Sequence, residues 1–455
     1  MKTIFSLRKA VRTALLGAVV TGMAACSSIE GVLDVNNPSE LDEERLDDET
    51  LVSVLTAGVV GDFTIMYGDP FIWRGSMMTD DQVSGINWEG TARLSQRLVR
   101  YDEGDADLMF AQISRARMQA DSVSGRFKAG LVASPSNNVN LARTLAFAGY
   151  SYIVMADAMC EATINVGEKL YQPVELYDIA VQRFTEALAV ATAANNTALI
   201  NMINVGLSRA YLNQGKKAEA MAAALKVPAN FKYNIEYKGS DTRTYNPLHG
   251  NLQGANHNLG IHPNFVAGGK DKFGTQGLEA FLTDPRVQHD PKWTLGHNQA
   301  TPLYKPRQGL LWSEYNGQTI ATGGKPAEYS RDADLAIASY IEAMHNYYEA
   351  AGPSGTGPLG TTLEYVNSRR AVGKQAPVTL SGDALMEELS WQRGKDLAMA
   401  GFRLGDLRRW LRQGIDRFPK GVHANSIWTY GDATCFPLPK EEYEGNPNIT
   451  DPNRG

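Results

Sequence analysis

The residues best suited to chemistry are concentrated in one stretch. Between Ala229 and Tyr329 the sequence is dense in Gly, Asn, His and aromatic residues, among them Tyr245, His249, Asn251, His257, His262, Phe265, Trp293, His297, Tyr304, Trp312 and Tyr315. A sugar offers an apolar ring face and many hydroxyls, so its site needs aromatic platforms beside amide, carboxylate or Arg hydrogen-bonding groups. On that logic Tyr245, Trp293, Tyr304, Trp312 and Tyr315, joined by Trp73 and Trp88 from an earlier loop, are the candidate ligand-binding residues. The competing role for each is burial in the core, because Trp is highly buried on average. His249, His257 and His262 invite a metal reading, but their spacing matches no ligand motif and no His-Glu-x-x-His string occurs. They read as solvated loop histidines, and neither a metal nor a cofactor is expected.

A glycoside hydrolase needs two carboxylates a set distance apart across the scissile bond, and 50 acidic residues supply many candidates without fixing any distance. Neither a nucleophile elbow nor a phosphate-cradling Gly loop is present. The expectation is a binding protein without catalytic residues. A surface glycoside hydrolase and a tetratricopeptide-like scaffold lipoprotein of outer-membrane assembly are the alternatives.

The cysteines speak to location. Lys2, Arg8, Lys9 and Arg12 precede an uncharged stretch from Thr13 to Ala25, the n-region and h-region of a secretory signal over residues 1–25. That stretch is shorter than the roughly 20 apolar residues of a bilayer-spanning helix. The run Met23-Ala24-Ala25-Cys26 resembles the bacterial lipobox, with Met where Leu is usual, which implies that Cys26 is acylated and becomes the first mature residue. By the same resemblance Ser27, not being Asp, directs the lipoprotein to the outer membrane. Several acyl chains, each buried methylene contributing about 0.8 kcal/mol, make such an anchor stable. Cys160 and Cys435 remain as an even pair in an oxidising compartment, either disulfide-bonded or two buried thiols, since sequence gives no distance between them.

Removing four basic residues from a formal net charge of −6 leaves −10, the wrong sign for a nucleic-acid partner. Losing the first 25 of 455 residues leaves 430, enough to bury a large core as a single domain over 26–455. The longest uncharged run after Cys26, Ala187 to Ser208, is interrupted by Asn195, Asn196, Asn201 and Asn204 and does not read as a membrane span.

The elements that must position the candidate residues fall in three regions. About 40–228 is a helical repeat core: Tyr177, Ala180, Phe184, Ala187 and Leu188 share one helix face, and Gly215 separates a helix over 207–214 from another over Ala218–Ala224, closed before Pro228. Tyr211, Gly215 and Ala220 resemble the ring, turn and small contact residue of the tetratricopeptide repeat, although Ala180 and Ala220 lie 40 apart, beyond the standard period of about 34. A generic Ala-rich bundle is the alternative. About 229–330 is the irregular ligand-face segment. Over 331–455, apolar spacing at Leu335, Ile337, Ile341, Met344 and Tyr348 predicts a helix from Arg331 to Ala351, and Ser381 is a candidate N-cap for a helix carrying Leu385, Leu389 and Leu397.

Two C-terminal strings carry a resemblance over this all-α, mainly helical chain. Gln392-Arg393-Gly394-Lys395-Asp396-Leu397-Ala398-Met399-Ala400-Gly401-Phe402-Arg403-Leu404-Gly405-Asp406-Leu407-Arg408-Arg409-Trp410 is similar to the signature of SusD/RagB-like outer-membrane nutrient-binding lipoproteins, with Gln392 and Ala400 in place of two usual carboxylates. Arg403 and Asp406 are expected to pair, with Gly401 allowing a bend. Phe436-Pro437-Leu438-Pro439-Lys440-Glu441-Glu442-Tyr443-Glu444-Gly445-Asn446-Pro447-Asn448-Ile449 resembles the family's closing segment, and its prolines predict extended structure without a helix. The resemblance, with the opening Asn37-Pro38, implies a SusD-like scaffold of four tetratricopeptide-like helix pairs with irregular ligand-binding insertions. It also implies a SusC-like TonB-dependent β-barrel transporter partner, which the lipoprotein covers as a lid while delivering an oligosaccharide or peptide nutrient.

Overall fold

The computed structural model describes residues 46–165, 167–240, 245–248, 258–262, 284, 286–287, 294–303, 332–422 and 428–451. The chain up to Leu51 forms a unit of its own, and the architecture below is that of Val52–Gly455.

Helices open this body. α1 (Val52–Met66) buries Leu55, Val59, Phe63 and Met66 at helical spacing. A wide turn at Tyr67–Ile72 containing Pro70 leads into α2 (Trp73–Met77). By length and composition Glu49–Met77 could cross a membrane, although Asp62, Asp69 and Arg74 interrupt it. Its apolar face is used in the core, where Phe63 meets Phe147 edge-on at 5.0 Å. After β1 (Gln82–Ser84), α3 (Glu89–Leu94) and α4 (Gly104–Arg126) comes the central helix, α5 (Val139–Ala158). Asn138 starts α5 by accepting from the amides of Asn140 and Leu141, and every residue from Thr144 to Ala158 is buried.

The sequence explains why neighbours approach α5 so closely. α6 (Pro173–Ala193) begins with Pro173 and a Gln172–Glu175 capping box, and α7 (Thr197–Asn213) with Asn196 accepting from the Leu199 amide. Phe184 of α6 lies against Gly149 of α5 and Gly206 of α7, where an added Cβ would come within 2.7 and 2.5 Å of its ring. Gly215, at φ +76°, turns the chain into α8 (Lys217–Ala224), the hairpin expected from sequence. Leu212 and Ala220 meet Ala350 there, with Tyr211 and Met221 packed around them.

Paired strands of two to five residues decorate the helices. β2 (Lys232–Ile235) runs antiparallel to β6 (Leu335–Ser339), β1 to β3 (Leu259–Ile261), β4 (Thr294–Leu295) to β5 (Pro302–Leu303), and β7 (Thr356–Gly357) to β8 (Gly360–Thr361). The helix predicted from Arg331 is therefore corrected: α9 spans Tyr340–Ala351, and Leu335 and Ile337 belong to β6. Ser339 sets the boundary, since its hydroxyl accepts from the Glu342 amide at 3.1 Å. α10 (Thr362–Val372), α11 (Gly382–Asp396), α12 (Arg403–Arg412) and α13 (Lys440–Gly445) complete the order. Ser381 stands at the N-terminus of α11 but makes no side-chain cap bond. α13 corrects the expectation of purely extended structure near the C-terminus, because Pro439 precedes the helix and so deprives it of no hydrogen bond.

Buried charges knit the C-terminal helices to the rest. Arg403 does not pair with Asp406 as expected; it grips Asp80 with two bonds of 2.6 and 2.8 Å. Asp406 is taken by Arg393 and Arg409, and Arg409 also binds Glu349. Gly401, at φ +84°, makes the bend between α11 and α12. Asp396 accepts from Arg286, Arg369 and His345; burial alone would raise its carboxyl, but these neighbours together hold it well below the usual range. Gln392, where the resembling family has a carboxylate, accepts from Arg286 and donates to Glu388 and Gln375. Cys160 and Cys435 form a disulfide with their Cα atoms 5.0 Å apart, and Cys160 and Phe436 on either side exchange backbone bonds with Phe436 and Ala158.

Candidate ligand-binding site

One loop, one strand pair and one hairpin are hydrogen-bonded into a single unit. β1 pairs with β3 in the register Gln82 to Ile261, Val83 to Gly260 and Ser84 to Leu259. Gly85 extends the pairing: its amide donates to the Asn258 carbonyl at 2.7 Å, and its carbonyl accepts from the Asn298 amide at 2.8 Å. Asn298 lies in the β4–β5 turn, where its side chain accepts from the Ala300 and Thr301 amides and donates to the Thr301 hydroxyl. Gly85 and Gly296 touch backbone to backbone, so a Cβ on Gly296 would come within 2.6 Å of the Gly85 Cα, and one on Gly85 within 2.7 Å of the Gly296 Cα. Residues without a Cβ are what permit this latch.

Trp88 emerges three residues beyond the latch, at the start of α3, and is 61 % exposed. An exposed Trp on a rigidly supported loop is a ready platform for the apolar face of a ring-shaped ligand. Leu295 on the latched hairpin is also exposed. The hairpin is flanked in sequence by Trp293 and Tyr304, which lie outside the described residues.

The support beneath this loop is polar and buried. Asp80 is held by Arg403, while the Asp81 carboxyl is pushed up to about 8 by burial, with Asp80 adding to the rise and Arg403 opposing it. The His262 amide donates to the Asp81 carbonyl, and its Nε2 shares a 2.9 Å hydrogen bond with the Tyr430 hydroxyl. The segment carrying Tyr430 is fastened to the turn after α3, because Gly431 and Ala433 donate to the carbonyls of Gln96 and Arg97. Val422 bridges Thr429 in this segment, and Val422, Trp428 and Leu98 are all exposed.

The residues proposed from sequence are distributed unevenly. Trp88 lies on the exposed loop, and Tyr245 is half-buried. Trp73 is corrected: it sits in α2, is 5 % exposed, and is covered by the Arg74 guanidinium 4.1 Å from its ring centre, so it is part of the core. Trp293, Tyr304, Trp312 and Tyr315 lie outside the described residues, as do Cys26, His249 and His257. His262 is likewise corrected from a solvated loop residue to a buried one, bonded to Tyr430. Trp428 escaped the sequence reading, although its place between Gly421 and Gly431 was the signal of a looped, surface position. Among the described residues no group of three or more His, Cys, Asp or Glu side chains is arranged to hold a metal ion.

Comparison of this architecture with solved structures is decisive for the fold. A SusD superfamily protein from Bacteroides vulgatus superposes with a TM-score of 0.63 at 15% identity, covering 89% of this chain and 98% of its own. A SusD-like protein from Bacteroides fragilis gives 0.64 at 12% identity, covering 90% and 98%. A SusD-like carbohydrate binding protein from Bacteroides vulgatus gives 0.62 at 14% identity, covering 88% and 97%. No family profile and no curated protein sequence matches the chain. The chain therefore has the SusD-like, tetratricopeptide-like helical fold over nearly its whole length.

Proposed function

We propose that this chain is a cell-surface lipoprotein that captures a nutrient, an oligosaccharide by the chemistry of its exposed face, and hands it to a TonB-dependent outer-membrane barrel without catalysing a reaction on it. The observation that carries the reading is Trp88, exposed on a loop locked to the β4–β5 hairpin within the region richest in aromatic and amide side chains. The SusD-like fold supports it, and one structural neighbour of the same shape is described as carbohydrate binding. The lipobox-like string before Cys26 supports attachment to the outer membrane. A lipid tether there keeps the body near its transporter at high effective concentration without fixing its orientation.

The partner is tested by purification from the native outer membrane in mild detergent, followed by mass spectrometry of the co-purifying chains. A TonB-dependent barrel in near-stoichiometric amount is expected, together with a Cys26 bearing acyl chains. Recovery of the acylated protein alone, under conditions that keep other membrane complexes intact, contradicts the transport role.

A further inference from the structure

A cavity of about 590 Å³ opens between α1, α5 and the β2 edge, elements that contribute nothing to the loop bearing Trp88. Its size is that of a small-molecule site. Its walls are unlike those of an ordinary packing defect, which is apolar. Arg143 of α5 and Lys238 after β2 bring two positive charges, against one negative charge from Glu236. Neither cation is in an ion pair among the described residues. The local balance is thus positive in a chain whose formal net charge is −6. Asn140 lines the cavity from the second position of α5, a 20-residue helix whose positive dipole end adds to the same sign.

Two polar atoms in the cavity wall are shut away from solvent without a hydrogen-bond partner: Nε of Arg143 and Oδ1 of Asn234. A buried polar atom left unpaired has given up its hydrogen bond to water without replacing it, a loss that is greater on a charged group. Both belong to half-buried side chains that line the cavity. Tyr233 stands beside Arg143, which opposes the rise that burial imposes on its phenol. Its ring supplies an apolar wall next to the charge.

We infer that this cavity is a second small-molecule site, for a monoanionic, hydroxylated ring: a sugar bearing one carboxylate. Arg143 takes the carboxylate through paired N–H donors, Lys238 adds charge at the rim, Asn140 and Asn234 meet hydroxyls, and Tyr233 covers the ring face. The site goes beyond the nutrient-capture reading and does not depend on it.

Calorimetric titration of the signal-free chain with galacturonate, galactose and inorganic phosphate tests the assignment. Galacturonate is expected to bind, with galactose and phosphate each weaker by about tenfold or more. Arg143→Gln is expected to weaken galacturonate by a similar factor, and Lys238→Ala, at an exposed rim position, by less, with unchanged melting temperature in the latter. Trp88→Ala leaves galacturonate binding unchanged, which separates this site from the nutrient face. Equal binding of galactose, equal binding of phosphate, or galacturonate binding indifferent to both Arg143→Gln and Lys238→Ala overturns the inference.

Discussion

At Asp81 a carboxyl group sits almost wholly out of water beneath the exposed loop, its Oδ1 without a hydrogen-bond partner and Asp80 next to it already committed to Arg403. Burial lifts it to about 8, so the folded chain keeps a proton that the unfolded chain, with an ordinary carboxyl near 4, releases. More protons bound in the folded state means that stability falls as pH rises through that window, from about 4 to about 8. Asp81→Asn cannot ionise and removes this slope. The variant is expected to exceed the parent in stability by about 1–3 kcal/mol at pH 8, with the gap closing toward pH 5. Urea unfolding at several pH values measures it, and parallel curves for the two proteins contradict the assignment. Arg403 shows the limit of residue-level reading. Its pairing with Asp406 looked natural at three residues apart, yet its partner Asp80 is 323 positions away, and local spacing carries no information about such a contact.

Among elements, the latch between Gly85 and Gly296 is the one the candidate site depends on. Gly296→Ala places a methyl group against backbone that cannot swing aside, which costs about 1–3 kcal/mol locally. The Asn298 amide, which donates to Gly85, is expected to lose its protection from hydrogen exchange while the α5 amides keep theirs. Undiminished Asn298 protection contradicts the latch. Two of the helices were readable because their signals are local: Gly215 ends one, and Tyr177, Ala180 and Phe184 line one face of another. β6 was not readable in the same way. Leu335 and Ile337 fit a helical stripe continuing into Ile341 and Met344, and only the pairing with β2, about a hundred residues earlier, makes them a strand. Trp73 failed for a related reason, since a Trp near Gly and Pro residues resembles a loop platform until α2 and Arg74 close over it.

For the whole molecule, the disulfide between Cys160 and Cys435 spans 275 residues and ties the end of the central helix to the closing segment. Replacing both cysteines by Ala is expected to destabilise the folded state by about 2–5 kcal/mol, read from the midpoint of denaturant unfolding. Identical midpoints for the two proteins contradict a structural role for the bridge. The helical body, which carries the SusD-like fold, holds the Trp88 loop and the β4–β5 hairpin on a rigid base, an arrangement that suits a protein whose task is to present a site. The class of fold was legible in the two C-terminal strings, whereas the aromatic candidates beyond residue 290 could be named from sequence but not located. In the proposed function this face binds a glycan through Trp88. The direct measurement is calorimetric titration of the chain and its Trp88→Ala variant against a panel of neutral oligosaccharides, at equal folding as judged by circular dichroism. Saturable binding of at least one oligosaccharide, weakened about tenfold or more by Trp88→Ala, is the predicted result. Oligosaccharide binding of undiminished strength in the variant, or no binding across the panel by the parent, contradicts it.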